Sequence, residues 1–354
     1  MPKQTPLYAF HRQLKAKMAD FAGWEMPISY GSELEEHRAV RQDAGMFDVS
    51  HMLAIDFSGT GPRETLTRVL ANDIGKLTAP GKALYSCMLN SEGGIVDDLI
   101  AYWLGDRRFR LVVNAGTAEK DLDWLRAHSA KDTQIEPQRD SALIAVQGPK
   151  AIEKFNRAFP QADLSGLQSF SACIAGNQFI SRTGYTGEDG LEIILPSEDA
   201  PQLWQSLLAA GVRPAGLAAR DILRLEAGML LYGQDMDETT TPIECGLTWT
   251  VNLHRDFIGS EALRKSKPAY RLRGLLLEDK GVLRHGQKVI TGDGEGVITS
   301  GGYSPWLSRS IALARLPITS SGRVEVAVRD RMLAARIVSP PFVRSGKALV
   351  NKGT

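Results

Sequence analysis

Cysteine is scarce in this 354-residue chain: Cys87, Cys173 and Cys245 are odd in number and far apart. No CxxC pair or Cys/His cluster occurs, so a disulfide scaffold and a structural zinc site are both poorly supported. The six histidines never fall at i, i+4 spacing, so no metal ligands are assigned and a metal enzyme is not expected. Net charge is nearly absent as well. Against 42 Lys+Arg stand 41 Asp+Glu, leaving +1, so no strong field is available for nucleic acid or an anionic membrane. No apolar run reaches the length needed to span a bilayer. The first residues, MPKQTP, carry neither an apolar signal core nor Arg-rich transit character. The expected location is the cytoplasm, or an organelle matrix if a presequence was removed. A GxxxxGK(S/T) loop and a GxSxG elbow are both missing, and Gly292, Gly294 and Gly296 fail the GxGxxG spacing. Phosphate-cradling and α/β-hydrolase readings lose their support.

What is present describes an ordinary folded protein, with 43% hydrophobic and 23% charged residues. At about 150 residues per domain the length allows two or three domains, each able to bury a core. Segment 32–44 reads as a helix, with Ser32 and Glu35 as a capping-box pair and Gly45 as a left-handed C-terminal cap. Leu53, Ile55 and Phe57 then alternate with polar residues as a half-buried strand, and Gly61-Pro62 opens a helix striped by Leu66, Val69 and Leu70. The same grammar returns at 142–146, a strand, with Gly148-Pro149 opening a helix striped by Ile152, Phe155 and Phe159. In the first unit, runs 84–89 and 95–103 flank a turn, followed by strand 109–113 and a Thr117-capped helix. In the second, runs 179–182 and 191–195 flank a Gly-rich turn, followed by a helix capped by Ser197. Two β-α-β-β-α-like units suggest an internal duplication of split βαβ character. Beyond about Tyr270 only short strand-like runs remain, at 272–277, 287–290, 296–300, 311–315, 324–328 and 332–338. They predict an antiparallel β-barrel or sandwich.

Acidic residues on the two hairpins stand out. Asp97 and Asp98 sit in a strand otherwise made of Ile95, Val96, Leu99 and Ile100. Adjacent side chains of a strand face opposite ways, so at least one carboxylate must enter a buried environment. Burial of a carboxylate is costly unless it is paired or neutralised. It either bonds backbone amides at the hairpin or handles protons in a cleft. The second hairpin offers Tyr185 and Glu192, the latter within an apolar strand just as Asp97 is. Arg220 and Arg224 follow at i, i+4 on a helix, where they form either an exposed ladder or a carboxylate-binding site.

Several motifs then occur in order: MFDVSHM at 46–52, 93–99, VQGP at 146–149, 183–192, 216–233 and TSGGYSP at 299–305. Together they closely resemble the glycine cleavage T-protein family of folate-dependent aminomethyltransferases, over about residues 5–347. The resemblance implies an α+β fold: a duplicated folate-binding region over 1–268, its units at about 50–140 and 141–212, and a C-terminal β-barrel over 269–354. It also implies transfer of the aminomethyl carbon from the lipoyl arm of H protein to tetrahydrofolate, a co-substrate. The products would be 5,10-methylenetetrahydrofolate, ammonia and dihydrolipoyl H protein. Asp97 matches the family's catalytic carboxylate, Glu192 its pterin-binding acid and Arg220 a folate-binding arginine. Tyr85, Asn114 and Tyr185 fall in pocket segments and are expected, with Met52, to line the folate ring site, and one of Arg344 or Lys347 is expected at the glutamyl tail. A monomer meeting H protein transiently is expected. Related folate proteins that support tRNA modification carry KGCYxGQE; here 254–261 reads HRDFIGSE, with Asp256 in place of that Cys. Folate-dependent demethylation of a sulfonium or amine donor remains the rival activity.

Overall fold

The computed structural model describes residues 2–350; residue 1 and residues 351–354, at the outer ends of the two expected domains, lie outside it. The chain divides into two compact units. The first comprises Met1–Ser86, Asp97–Gly184 and Glu188–Arg220; the second comprises Cys87–Val96, Tyr185–Gly187 and Asp221–Thr354. Helix Leu217–Glu226 runs from one into the other.

The duplication is visible in strand order. One sheet runs Ala83–Leu89, Ile95–Gly105, Arg108–Val113, Leu53–Gly59, Thr133–Pro137. The other runs Ala172–Ala175, Gln178–Ser181, Gly190–Pro196, Ser141–Gln147, Gly45–Asp48, Arg213–Pro214. The two orders correspond strand for strand, except that Gly45–Asp48 is inserted before the last member of the second. Strand Ala172–Ala175 corrects the predicted correspondence. It occupies the place of Ala83–Leu89, so the strand of Glu192 corresponds to Arg108–Val113, not to that of Asp97. The two acids are therefore not equivalent positions of the repeat. Four residues with an exposed Ile174 give no alternation from which this strand could be read.

In the six-stranded sheet, period-two alternation separates two buried faces. Ile144, Val146, Leu191, Ile193 and Leu195 pack with Phe155 of helix Ala151–Ala158 and with Leu203, Trp204 and Leu207 of helix Ala200–Ala209. Each such side chain contributes about 1.5–3 kcal/mol on burial. Glu192 lies on the other face, opposite Ala145 and Ser181 in the ladder.

Pro62 is the first residue of helix Pro62–Val69, as its fixed φ and missing N–H favour. Ser32 caps helix Glu33–Gln42 by accepting from the Glu35 amide, but Gly45 is not its C-cap. Asp43 holds that place and Gly45 opens the next strand, where a Cβ would stand 2.5 Å from the Val40 side chain. Thr117 and Ser197 do not cap by side chain either: Asp199 precedes Ala200–Ala209, and the Thr117 hydroxyl is used elsewhere.

In the second unit, Tyr270–Leu277, Arg309–Pro317, Gly294–Ser304, Lys288–Thr291, Arg323–Val328 and Arg331–Val338 form a closed antiparallel barrel in that order. All six predicted runs are among these strands. Ala312, Ala314 and Leu316 point inward with Leu275, Val289 and Val326, while Ile311 and Leu313 pack outward with Leu225 and Phe342. Arg224 is buried in this unit, bonded to Asp221, Asp235 and Ser300. It forms an internal ion pair, not an exposed ladder.

Candidate functional site

The first cluster is built on three adjacent strands. Asp97, on Ile95–Gly105, is fully buried. Its Oδ1 accepts from Asn114 Nδ2 at 2.9 Å, and its Oδ2 from the Thr117 hydroxyl at 2.9 Å and the Asn114 amide at 3.3 Å. Asn114 directly follows the strand Arg108–Val113, and Thr117 precedes helix Ala118–Ala127. The Thr117 side chain does not cap that helix because it is turned to Asp97.

Asp98 is half-buried. Its Oδ1 accepts from the same Asn114 Nδ2 at 3.0 Å, and its Oδ2 from the Tyr85 hydroxyl at 2.8 Å, Tyr85 belonging to Ala83–Leu89 on the other side. Burial and then the Asp97 charge push the Asp98 carboxyl up to about 7, against the opposing pull of Tyr85 and Asn114. A third acid, Asp121, is buried on the helix that Thr117 precedes, within reach of the Asp97 and Thr117 side chains. Burial and the Asp97 charge push it up to about 10, so it is neutral at pH 7.

The cluster sets Asp97, which accepts three hydrogen bonds, beside Asp98, whose carboxyl burial and that neighbour raise toward neutrality. The sequence marks both acids, and the family resemblance assigns a role to Asp97 alone. The paired acids were the available signal; the partners that separate their environments come from two other strands.

The second cluster surrounds Glu192, which is half-buried on Gly190–Pro196. Its Oε2 accepts from the Thr183 hydroxyl at 2.6 Å. Its remaining acceptor capacity suits a paired N–H edge such as that of an aminopyrimidine. Asp97 and Glu192 thus each have their own partners. Arg220, half-buried, lies 5.8 Å from the Phe47 ring centroid. Its charge adds to burial in driving His51 down to about 4, although Asp48 opposes this. Met52, the next residue, is half-buried ahead of strand Leu53–Gly59.

Tyr185, Arg344 and Lys347 belong to the second unit. The Tyr185 hydroxyl donates to the Leu230 carbonyl. Arg344 and Lys347 are exposed register partners of a two-stranded hairpin, which is tied to the Tyr185 loop by the Ser345 amide donating to the Gly187 carbonyl at 3.0 Å. The three cysteines are free, and burial pushes Cys245 up to about 12. Among the described residues no helix is long and apolar enough to cross a membrane.

Two families match the chain: the GCVT N-terminal domain over residues 7–255 and the glycine cleavage T-protein C-terminal barrel domain over residues 271–344. An aminomethyltransferase of Nitrosomonas eutropha is 58% identical over 363 residues, covering 99% of this chain and 100% of that protein. One of Cupriavidus necator is 53% identical over 370 residues, covering 98% and 99%. A crystal structure of the glycine cleavage system aminomethyltransferase T from Bartonella henselae is 37% identical, covers 98% of this chain and 99% of its own, and superposes with a TM-score of 0.92.

Proposed function

The chain belongs to the glycine cleavage T-protein family, and we propose that it transfers the aminomethyl carbon of lipoylated H protein to tetrahydrofolate, releasing ammonia and dihydrolipoyl H protein. The observation that carries this reading is the acid pair Asp97–Asp98, bridged by Asn114 and backed by Tyr85. Two protons leave the folate nitrogens as the carbon is taken up; one ends on ammonia and one on the lipoyl thiol. A carboxyl with a pKa near the working pH is suited to both halves of that exchange. Asp98 meets the requirement, at about 7. We assign the proton exchange to the acid pair, with Asp97 as the catalytic carboxylate and Asp98 as the neighbour that shares its proton.

Tetrahydrofolate supplies the nucleophilic nitrogens when bound. Glu192 is proposed to receive the N–H edge of the pterin, with Arg220, Tyr185 and Met52 as further folate-binding residues. Tyr85 and Asn114, which also bond the acid pair, are proposed to line the folate ring site, and Arg344 or Lys347 takes the glutamyl tail. The reading includes a cytoplasmic monomer that meets H protein transiently, in keeping with bacterial relatives and the +1 net charge.

The test is incubation with tetrahydrofolate and aminomethylated H protein, scored by ammonia. Release that depends on both substrates is expected. Silence with H protein, together with methyl transfer from a sulfonium donor, would instead establish the demethylase activity.

A further inference from the structure

Glu192 is not held by its own strand alone. The Thr183 hydroxyl sits between it and two further hydroxyls: Ser181 Oγ at 2.9 Å and Tyr102 Oη at 3.2 Å. Thr183, Ser181 and Tyr102 are all buried. A carboxylate only accepts, so the single Thr183 proton is committed to Glu192, and Tyr102 must donate to the Thr183 oxygen. Burial and the Glu192 charge both push the Tyr102 hydroxyl up from its ordinary value, so it remains a donor throughout the physiological range. The chain is polarised toward Glu192, which strengthens each bond in it.

The parts come from both halves of the duplication. Tyr102 lies on Ile95–Gly105 of the five-stranded sheet, its ring edge-on to Phe179 of the six-stranded sheet, with centroids 5.0 Å apart. The Thr183 backbone is fixed as well. Its carbonyl accepts from Gln147 Nε2 at 3.1 Å, and a Cβ at Gly184 would fall 1.9 Å from Gln147 Oε1, so this seat requires glycine beside Thr183.

We propose that Thr183, with Tyr102 behind it, is a positioning residue that fixes the Glu192 carboxylate for recognition of the ligand's N–H edge. The first half of the duplication thereby sets specificity at the second. The inference rests on Glu192 being the pterin acid. With Oε2 anchored from one side, the carboxylate plane is set before the ligand arrives and less ordering is lost on binding.

The experiment is equilibrium titration of the whole protein with tetrahydrofolate and with an analogue lacking the 2-amino group. Thr183→Val keeps the shape and removes the hydroxyl; it should raise Kd for tetrahydrofolate about tenfold, as expected for a hydrogen bond to a charged group. Thr183→Ser should restore binding to within about twofold, because it keeps the same donor. The analogue, which has no 2-amino N–H for the carboxylate to grip, should lose little further affinity to Thr183→Val. Tyr102→Phe removes only the hydroxyl behind Thr183 and should give a smaller loss with the same ligand selectivity, which keeps the test available if Thr183→Val does not fold. Unchanged binding, or an equal loss with both ligands, would overturn the proposal and leave Thr183 a purely structural residue. If Glu192→Ala also bound tetrahydrofolate normally, the pterin-acid reading would fall, and the positioning role with it.

Discussion

Replacing Asp98 by asparagine tests the proton assignment most sharply, because the amide keeps the side chain's size and an oxygen to accept from Tyr85 or Asn114. What it removes is a carboxyl that burial and the Asp97 charge push up to about 7. General acid–base participation is worth roughly 10²–10⁴ in rate, or about 2.7–5.5 kcal/mol of barrier at 1.36 kcal/mol per decade. We expect turnover of Asp98→Asn to fall by that factor while tetrahydrofolate binds within a modest factor of normal. The pH profile adds a second reading. To accept the amine proton Asp98 must be ionised, so wild-type turnover should fall about tenfold per pH unit below its pKa. Asp97→Asn deletes the charge that, after burial, contributes most to raising Asp98. Asp97→Asn should therefore lower turnover by a comparable factor and move the remaining acid limb to lower pH. The assay is ammonia release from aminomethylated H protein between pH 5.5 and 8.5, at saturating tetrahydrofolate. Near-normal turnover in either variant, or a limb that Asp97→Asn leaves in place, would refute proton exchange by the pair.

Three further outcomes follow from the same geometry. Glu192→Ala and Arg220→Ala should each weaken tetrahydrofolate binding in direct titration, with the secondary structure intact by circular dichroism. Asp121 is a carboxyl raised to about 10 in the folded protein. The folded state therefore binds more protons than the unfolded chain above the ordinary carboxylate range, and stability falls as pH rises through that window. Asp121→Asn should flatten this decline, seen as a smaller drop in Tm between pH 6 and pH 9 than wild type shows. Trp204, fully buried among Phe155, Leu203 and Leu207, should cost about 3–5 kcal/mol in denaturant unfolding when changed to alanine.

Elements set by local chemistry were legible in the sequence. The six barrel strands alternate or carry dense apolar residues, Pro62 sits where a helix can begin, and Ser32 stands one residue ahead of its helix. Elements set by distant partners were not. Thr117 reads as an N-cap, but Asp97, twenty residues earlier, takes its hydroxyl. Arg224 reads as part of an exposed ladder until Asp235 and Ser300 receive it inside the second unit. Gly45 reads as a helix terminator, whereas close approach to Val40 is what excludes a side chain there.

The candidate site divides the same way. The residue types were visible, since adjacent acids in an apolar strand and a glutamate in another are unusual on energetic grounds. Their hydrogen-bond partners were not, because Tyr85 and Asn114 come from flanking segments and Tyr102 meets Thr183 across the two halves of the duplication.

In the proposed reaction, an acid pair poised near neutrality moves the proton of aminomethyl transfer. Its most direct test is the pH dependence of ammonia release by wild type and Asp98→Asn under identical conditions. The wild-type profile should break near pH 7, and the variant should be far slower and lack that break. A variant with the same break and nearly the same rate would contradict it.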